Sequence, residues 1–191
     1  SVAKGKYVGF IDSDDYIASD MFEFLIKNLK ENNADVSVCG LYDCYNNKIV
    51  HQCDKRKFLV LDNEEVLSEA LMGKNISVNA VNKIYKKELF DNIKFPDGKL
   101  FEDAFTIPKI LSISKKVVAD TKPLYYYRHR MGTITTSSFK KQDLSIIEAY
   151  DGVLKLVLTK FPNLKKQAEF RYLWSYMHVL DKMILSENFD D

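Results

Sequence analysis

Long apolar runs are missing from this sequence of 191 residues. None approaches the ~18 residues that a membrane-spanning helix needs. An excess of one charge is missing too: 28 Lys and Arg stand against 27 Asp and Glu, a formal net charge of +1. Such balance gives no general field for nucleic acid or an anionic membrane and leaves only local patches. Cysteine is scarce, with Cys39, Cys44 and Cys53 alone. An odd count in a chain this long is a poor disulfide framework and suits a reducing compartment. Joined to His51, these thiols fit no common zinc spacing, so buried or idle thiols are expected. No signal-peptide pattern, internal repeat or low-complexity tract is present. What is present is 46% hydrophobic and 29% charged residues, a globular and not a disordered composition. The length suits one domain that buries roughly 70% of its unfolded surface.

Ser1–Gly5 reads as a helix end running into a turn. Tyr7–Ile11 is an apolar run without polar alternation, the pattern of a strand buried on both faces. Only six residues precede it, which points to the later part of a larger domain. Asp20 with Glu23 predicts a capped helix carrying Phe22, Leu25, Ile26 and Leu29 and ending at Asn32-Asn33. Val36–Tyr42 and Lys48–Gln52 read as strands turned at Asn46-Asn47. Asp62 with Glu65 caps a second helix, Val78–Tyr85 reads as extended, and Lys86–Phe90 as a helical turn. Phe95-Pro96-Asp97-Gly98 is a turn, and Glu102–Ser114 a helix despite Pro108. Val117–Arg130 is strand-like, broken at Lys122-Pro123. Thr135–Lys141 reads as a loop. Two amphipathic helices then flank Phe161-Pro162-Asn163, the second aligning Leu173, Met177, Leu180 and Ile184, with Trp174 as a bundle anchor. The layout is an α/β part over 1–138 and a helical part over 139–191.

Asp12-Ser13-Asp14-Asp15 closes the first strand, the end at which open α/β sheets bind ligands. At ~5 Å and an effective dielectric near 20, each like-charged pair costs roughly 3 kcal/mol. A divalent cation offsets that cost; so does full solvation in a turn that caps the next helix. An EF-hand loop starting at Asp12 fails, because Tyr16 and Ile17 stand where a ligand and a glycine are required. A haloacid-dehalogenase-type phosphatase is the weaker alternative, since Tyr16 takes the place of its Thr or Val.

The run Ala3-Lys4-Gly5-Lys6-Tyr7-Val8-Gly9-Phe10-Ile11-Asp12-Ser13-Asp14-Asp15 resembles the D-x-D segment of bacterial family-2 glycosyltransferases, which have the GT-A fold. Three later segments resemble the same family in order. They are Ala80–Phe90 with its Asn82-Lys83, Phe95–Gly98 followed by Phe101-Glu102-Asp103, and Tyr125–Arg130 followed by Gly132-Thr133-Ile134. The family begins with a nucleotide-binding βα half, roughly 60–90 residues as two or more βα units, which these residues do not contain. The resemblance therefore implies a partial GT-A fold, a mixed α/β sheet remnant with helices, followed by C-terminal helices that no motif covers.

The resemblance also implies roles. Asp14 would be the direct ligand of Mg²⁺ or Mn²⁺, with Asp12 beside the metal or the donor ribose. Asp103 would be the base, Glu102 its alternate. Asn82, Lys83, Arg128 and His129 would bind substrate, Lys83 on the acceptor side or structurally. Tyr125–Tyr127 would alternate across a strand, serving the core or a sugar platform. The implied partners are a nucleotide-diphosphate sugar and a glycan or lipid-linked acceptor, with no nucleic acid. The implied place is the cytoplasm, or peripheral contact at the inner face of the membrane. The implied reaction is metal-dependent and inverting, in polysaccharide or glycoconjugate synthesis. An acceptor-binding or assembly module, inactive alone, is the reading from a different class. The apolar edge of Tyr7–Ile11 also predicts self-association.

Overall fold

The computed structural model describes residues 3–46, 48–53, 55–129 and 138–186. The chain runs through β1 (Tyr7–Gly9), β2 (Tyr16–Ile17), α1 (Met21–Glu31), β3 (Val36–Tyr45), β4 (Lys48–His51) and β5 (Phe58–Leu61). It continues through α2 (Asn63–Met72), β6 (Lys83–Lys86), α3 (Glu102–Ile113), β7 (Val117–Arg128), α4 (Ser145–Lys160) and α5 (Lys165–Ile184). Single 3₁₀ turns lie at Lys87–Phe90, Lys141–Leu144 and Pro162–Leu164. Gly132-Thr133-Ile134 and Asn47 lie outside the described residues.

The strands form one mixed sheet in the order β1-β6-β3-β7-β2, with β4 added to β3 and β5 to β7. β3 and β7 run parallel at its centre, and the other pairs are antiparallel. Both faces of these two strands are covered, so Val36, Val38, Leu41, Val117, Val118 and Tyr125 are buried along them. On one face Met21, Leu25 and Leu29 of α1 pack against Cys39, Leu41, Ile84 and Tyr125. On the other, Val66 and Ala70 of α2 and Ile107, Ile110 and Leu111 of α3 pack against Val36, Val38, Tyr85, Val117 and Ala119. α4 and α5 then cover the outer side of α2 and α3 through Leu67, Leu71, Ala104, Tyr150, Val153 and Val179.

Several expected elements differ in ways with a local cause. The expected break at Lys122-Pro123 is a bulge inside a continuous β7: Cys39 pairs with Asp120, but Gly40 pairs with Pro123. A Cβ on Gly40 would collide with the Thr121 carbonyl, so the two backbones approach this closely only because residue 40 has no side chain. The box at Asp62 and Glu65 forms in both directions, at 2.9 and 3.0 Å. The one expected at Asp20 does not. Its backbone (φ −94°, ψ 0°) is outside the extended region that a cap uses, and its carboxylate takes Lys122 Nζ at 3.0 Å instead. No helix end precedes Gly5 among the described residues. β1 is not buried on both faces: it is a half-buried edge strand whose one partner among the described residues is β6, and Ile11 beyond it is exposed.

The topology has one result that matters for the site. β1 and β2 occupy opposite edges of the sheet path, so the segment joining them, with its acids, passes across the sheet's end.

Candidate functional site at the sheet rim

The crossing segment is pinned at both ends. Phe10 sits edge-on to Tyr85, Phe90 and Phe95, with centroids 5.3–6.0 Å apart. At the other end, Asp15 accepts from the Tyr125 hydroxyl at 2.7 Å and the Arg128 amide at 2.8 Å. Tyr125 also accepts the Asp12 amide at 3.2 Å, and Asp15 N–H closes a turn on the Asp12 carbonyl. Asp15 is thus a structural anchor. The side chains of Asp12 and Asp14 have no hydrogen bond or ion pair among the described residues.

α3 brings a second acid pair to the same place. Its start at Phe101 is a left-handed residue (φ 59°) without a side-chain cap, and Glu102 and Asp103 occupy the first turn, where the helix dipole favours negative charge. Asp103 is partly buried, and its Oδ2 accepts the Ala80 amide at 2.8 Å. Burial raises its pKa to about 6, with Glu102 and Asp12 adding to the rise and the Ala80 bond and Lys83 opposing it. Asp12 belongs to an exposed residue, yet shielding of its carboxyl, then Asp15, Asp14 and Glu102, raise its pKa too. The four neighbours named for Asp12 and Asp103 place both acidic motifs in one electrostatic cluster.

Behind Asp103 lies a rigid bracket. Lys83 is fully buried, and its Nζ donates to the Asn79 carbonyl and side chain and the Asn82 side chain at 2.8 Å, and to the Val81 carbonyl at 3.3 Å. Asn82 is left-handed (φ 55°) and donates to the Cys39 carbonyl. Tyr85 Oη donates to the Ala80 carbonyl at 3.0 Å, so Ala80 is fixed on both sides of the peptide it presents to Asp103. Burial lowers the Lys83 pKa to about 7. Asn82 and Lys83 therefore sit beneath the acids, inside the protein. Arg128 is exposed beside them, its Nη1 reaching the Asp14 carbonyl at 3.4 Å. His129 stands farther along: Nε2 meets Asp43 Oδ1 at 2.7 Å, and its ring stacks on Tyr45 at 4.3 Å. Tyr126 faces away from Tyr125 and is stacked between Tyr16 and Tyr42. The roles of Tyr125, Ala80, Asn79 and Tyr85 went unread in the sequence. Only the alternation of Tyr125–Tyr127 hinted at the first, and nothing local marks an alanine as a hydrogen-bond donor.

Residues 1–93 match the family pattern described as glycosyl transferase family 2. The chain belongs to that family. This family-2 chain is 30% identical over 185 residues to glycosyltransferase GlyA of Streptococcus pneumoniae serotype 4, covering 88% of the chain and 26% of the relative. It is 31% identical over 150 residues to GlyG of the same organism, covering 73% of the chain and 49% of the relative. Among solved structures, S. aureus TarS 1-349 in complex with UDP-GlcNAc superposes with a TM-score of 0.68 at 19% identity, over 96% of this chain and 50% of that one. The TarS complex with UDP gives 0.65 at 21% identity, over 90% and 47%. This likeness shows the fold, the curled mixed sheet of GT-A proteins with helices after it. The chain spans about half or less of the length of these relatives. No helix among the described residues is long and apolar enough to cross a membrane.

No cation among the described residues forms a direct ion pair with Asp12, Asp14, Glu102 or Asp103, and carboxylate oxygens are the donors a hard divalent ion prefers. Among the described residues no cluster of three or more His, Cys, Asp or Glu is already shaped around an ion. Asp12 and Asp14 fit such an ion as the two carboxylates left without partners, whereas Asp15 is spent on Tyr125 and Arg128.

Proposed function

We propose that the full-length protein moves a sugar from a nucleotide-diphosphate donor to an acceptor hydroxyl of a glycan or glycoconjugate, with inversion and with Mg²⁺ or Mn²⁺. The observation that supports this reading is the electrostatic coupling of Asp12 to Glu102 and Asp103 at the sheet rim, with Asp103 partly buried and its pKa raised to about 6. The uridine nucleotides bound by the TarS structures support the donor class. The names of GlyA and GlyG support the reaction class, and that of the minor teichoic acid biosynthesis protein GgaB of Bacillus subtilis supports the product class.

Asp103 is the base of this reaction. Its Oδ2 is held by Ala80, so the other oxygen is left to take the acceptor proton. The acceptor oxygen bonds to the anomeric carbon as the carbon–oxygen bond to the diphosphate breaks, and that electron pair leaves on the phosphate. A base near pH 6 is ionised at neutral pH yet still basic enough to pull. Glu102 adds negative charge beside it and orients the acceptor. Asp14 and Asp12 would hold the divalent ion, which when bound supplies Lewis-acid neutralisation of the departing diphosphate. Arg128 lies on the exposed side of Asp14, positioned to contact phosphate oxygens.

Two measurements test this. Donor turnover by the full-length protein should fall with Asp103→Asn, and its metal stimulation should vanish with Asp14→Ala; persistence of either overturns that assignment. Calorimetry of these 191 residues with UDP and Mn²⁺ separates the enzyme from an acceptor-binding module: tight binding places a working donor site within the chain.

A further inference from the structure

Helix α5 is apolar on the wrong side. Its buried residues are small or polar, Ala168, Ser175, Val179 and Lys182. Tyr172 and Met183 pack partly against the core, but Phe170, Leu173, Met177, Leu180 and Ile184 point outward and are 45–66% exposed. A helix that only covered a core would be built the other way round. The outward residues follow one another at intervals of three, four, three and four. That is the 3.5-residue period of a coiled-coil seam, Phe170, Met177 and Ile184 alternating with Leu173 and Leu180. The seam spans roughly 20 Å of helix at ~1.5 Å per residue, so what it fits is another helix.

Charge selects which helix and in which direction. The start of α5 carries Lys165 and Lys166, following Lys160 at the end of α4. At the other end Lys182 is turned inward to Asp143 at 2.6 Å, leaving Asp181 exposed. Glu169 is ion-paired to Lys165 at 3.6 Å, so the described helix runs from a net positive start, carried by Lys166, to a negative end at Asp181, and it is complementary to itself when reversed. We propose that this face is the contact between two copies of the chain, paired antiparallel through α5. Phe170 of one copy then lies opposite Leu180 of the other, and Leu173 opposite Met177. Trp174, partly exposed beside the seam, meets its own counterpart near the two-fold axis. This surface is distinct from the β1 edge.

Sedimentation velocity of the 191-residue chain tests it. A species of twice 22.1 kDa is expected at micromolar concentrations, with Leu173→Glu and Met177→Glu each shifting it to monomer without loss of helical circular dichroism. A monomer at every concentration overturns the proposal, and so does a dimer that survives both substitutions, which assigns association to another surface such as the β1 edge. Orientation is read in a Cys53→Ser background. Phe170→Cys with Leu180→Cys should oxidise to a linked dimer, whereas Phe170→Cys alone should not; the reverse result overturns the antiparallel pairing. This readout stands even if a glutamate variant misfolds. A longer natural chain that stays monomeric while these residues dimerise would assign the face to its own remaining sequence and also overturn the proposal.

Discussion

Two carboxylates shielded from solvent, one fully and one partly, are treated in opposite ways. Asp143, under the α4–α5 hairpin, is met by Lys182 at 2.6 Å and the Lys140 amide at 2.7 Å. Asp103, at the sheet rim, receives one amide and faces further negative charge. The hairpin settles its charges and leaves apolar surface unmet; the rim settles its apolar surface and leaves charge unmet. Each deficit points to a different class of visitor, a helix in one place and a cation with a phosphorylated sugar in the other.

The contrast can be broken in order of expected effect. Asp103→Asn in the full-length protein should lower kcat by about 10²–10⁴, the usual contribution of a positioned base. Wild-type kcat/KM should fall on the acid side of pH ~6, where Asp103 takes up its proton. A pH profile flat through that range would remove Asp103 from the role. Lys182→Met leaves Asp143 buried without its cation and should cost about 3–5 kcal/mol in urea unfolding. A loss under 1 kcal/mol would mean that the hairpin carboxylate needs no partner. Gly40→Ala forces β3 and β7 apart at the bulge and should cost about 1–3 kcal/mol or more; an unchanged urea midpoint would refute the pinch.

The smallest effect is the most diagnostic. The folded pKa of Asp103 is raised from 3.8 to about 6, so the folded state holds the proton more tightly than the unfolded one. Its destabilising charge is absent below pH ~4, grows between the two values, and is complete above pH ~6. Asp103→Asn should therefore stabilise the fold by about 1–2 kcal/mol at pH 8 and by no more than about 0.5 kcal/mol at pH 4, without added divalent ion. Thermal melts at the two pH values check this, and equal shifts at both would contradict the burial of an ionised acid. A substitution that ruins turnover yet strengthens the fold is the signature of a site held at a stability cost.

Much of the architecture was legible because it is local. The Asp62–Glu65 box, the 3₁₀ turn after β6 and the start of α3 each follow from a few adjacent residues. The acids Asp12, Asp14, Glu102 and Asp103 could be named from their motifs. What was hidden depends on long-range pairing. Tyr125 reaches Asp15 across 110 positions, and Lys83 reads as a surface cation until β6 is seen inside the sheet. The periodicity of α5 predicted one apolar stripe, but a period cannot tell which side meets the core. Trp174, expected as an anchor inside, is partly exposed, stacked on His178 and edge-on to Tyr150.

The passage from β1 to β2 has a mechanical meaning. Four strand spacings of ~4.8 Å separate those edges, roughly 19 Å in a flat sheet. Seven residue steps from Gly9 to Tyr16 reach about 23 Å when fully drawn out, and the turn at Asp12–Asp15 uses up much of the difference. Little slack is left. The width of the sheet acts as a gauge that sets where the acids hang, so a single-residue deletion between Phe10 and Asp15 should do more harm than most replacements within it.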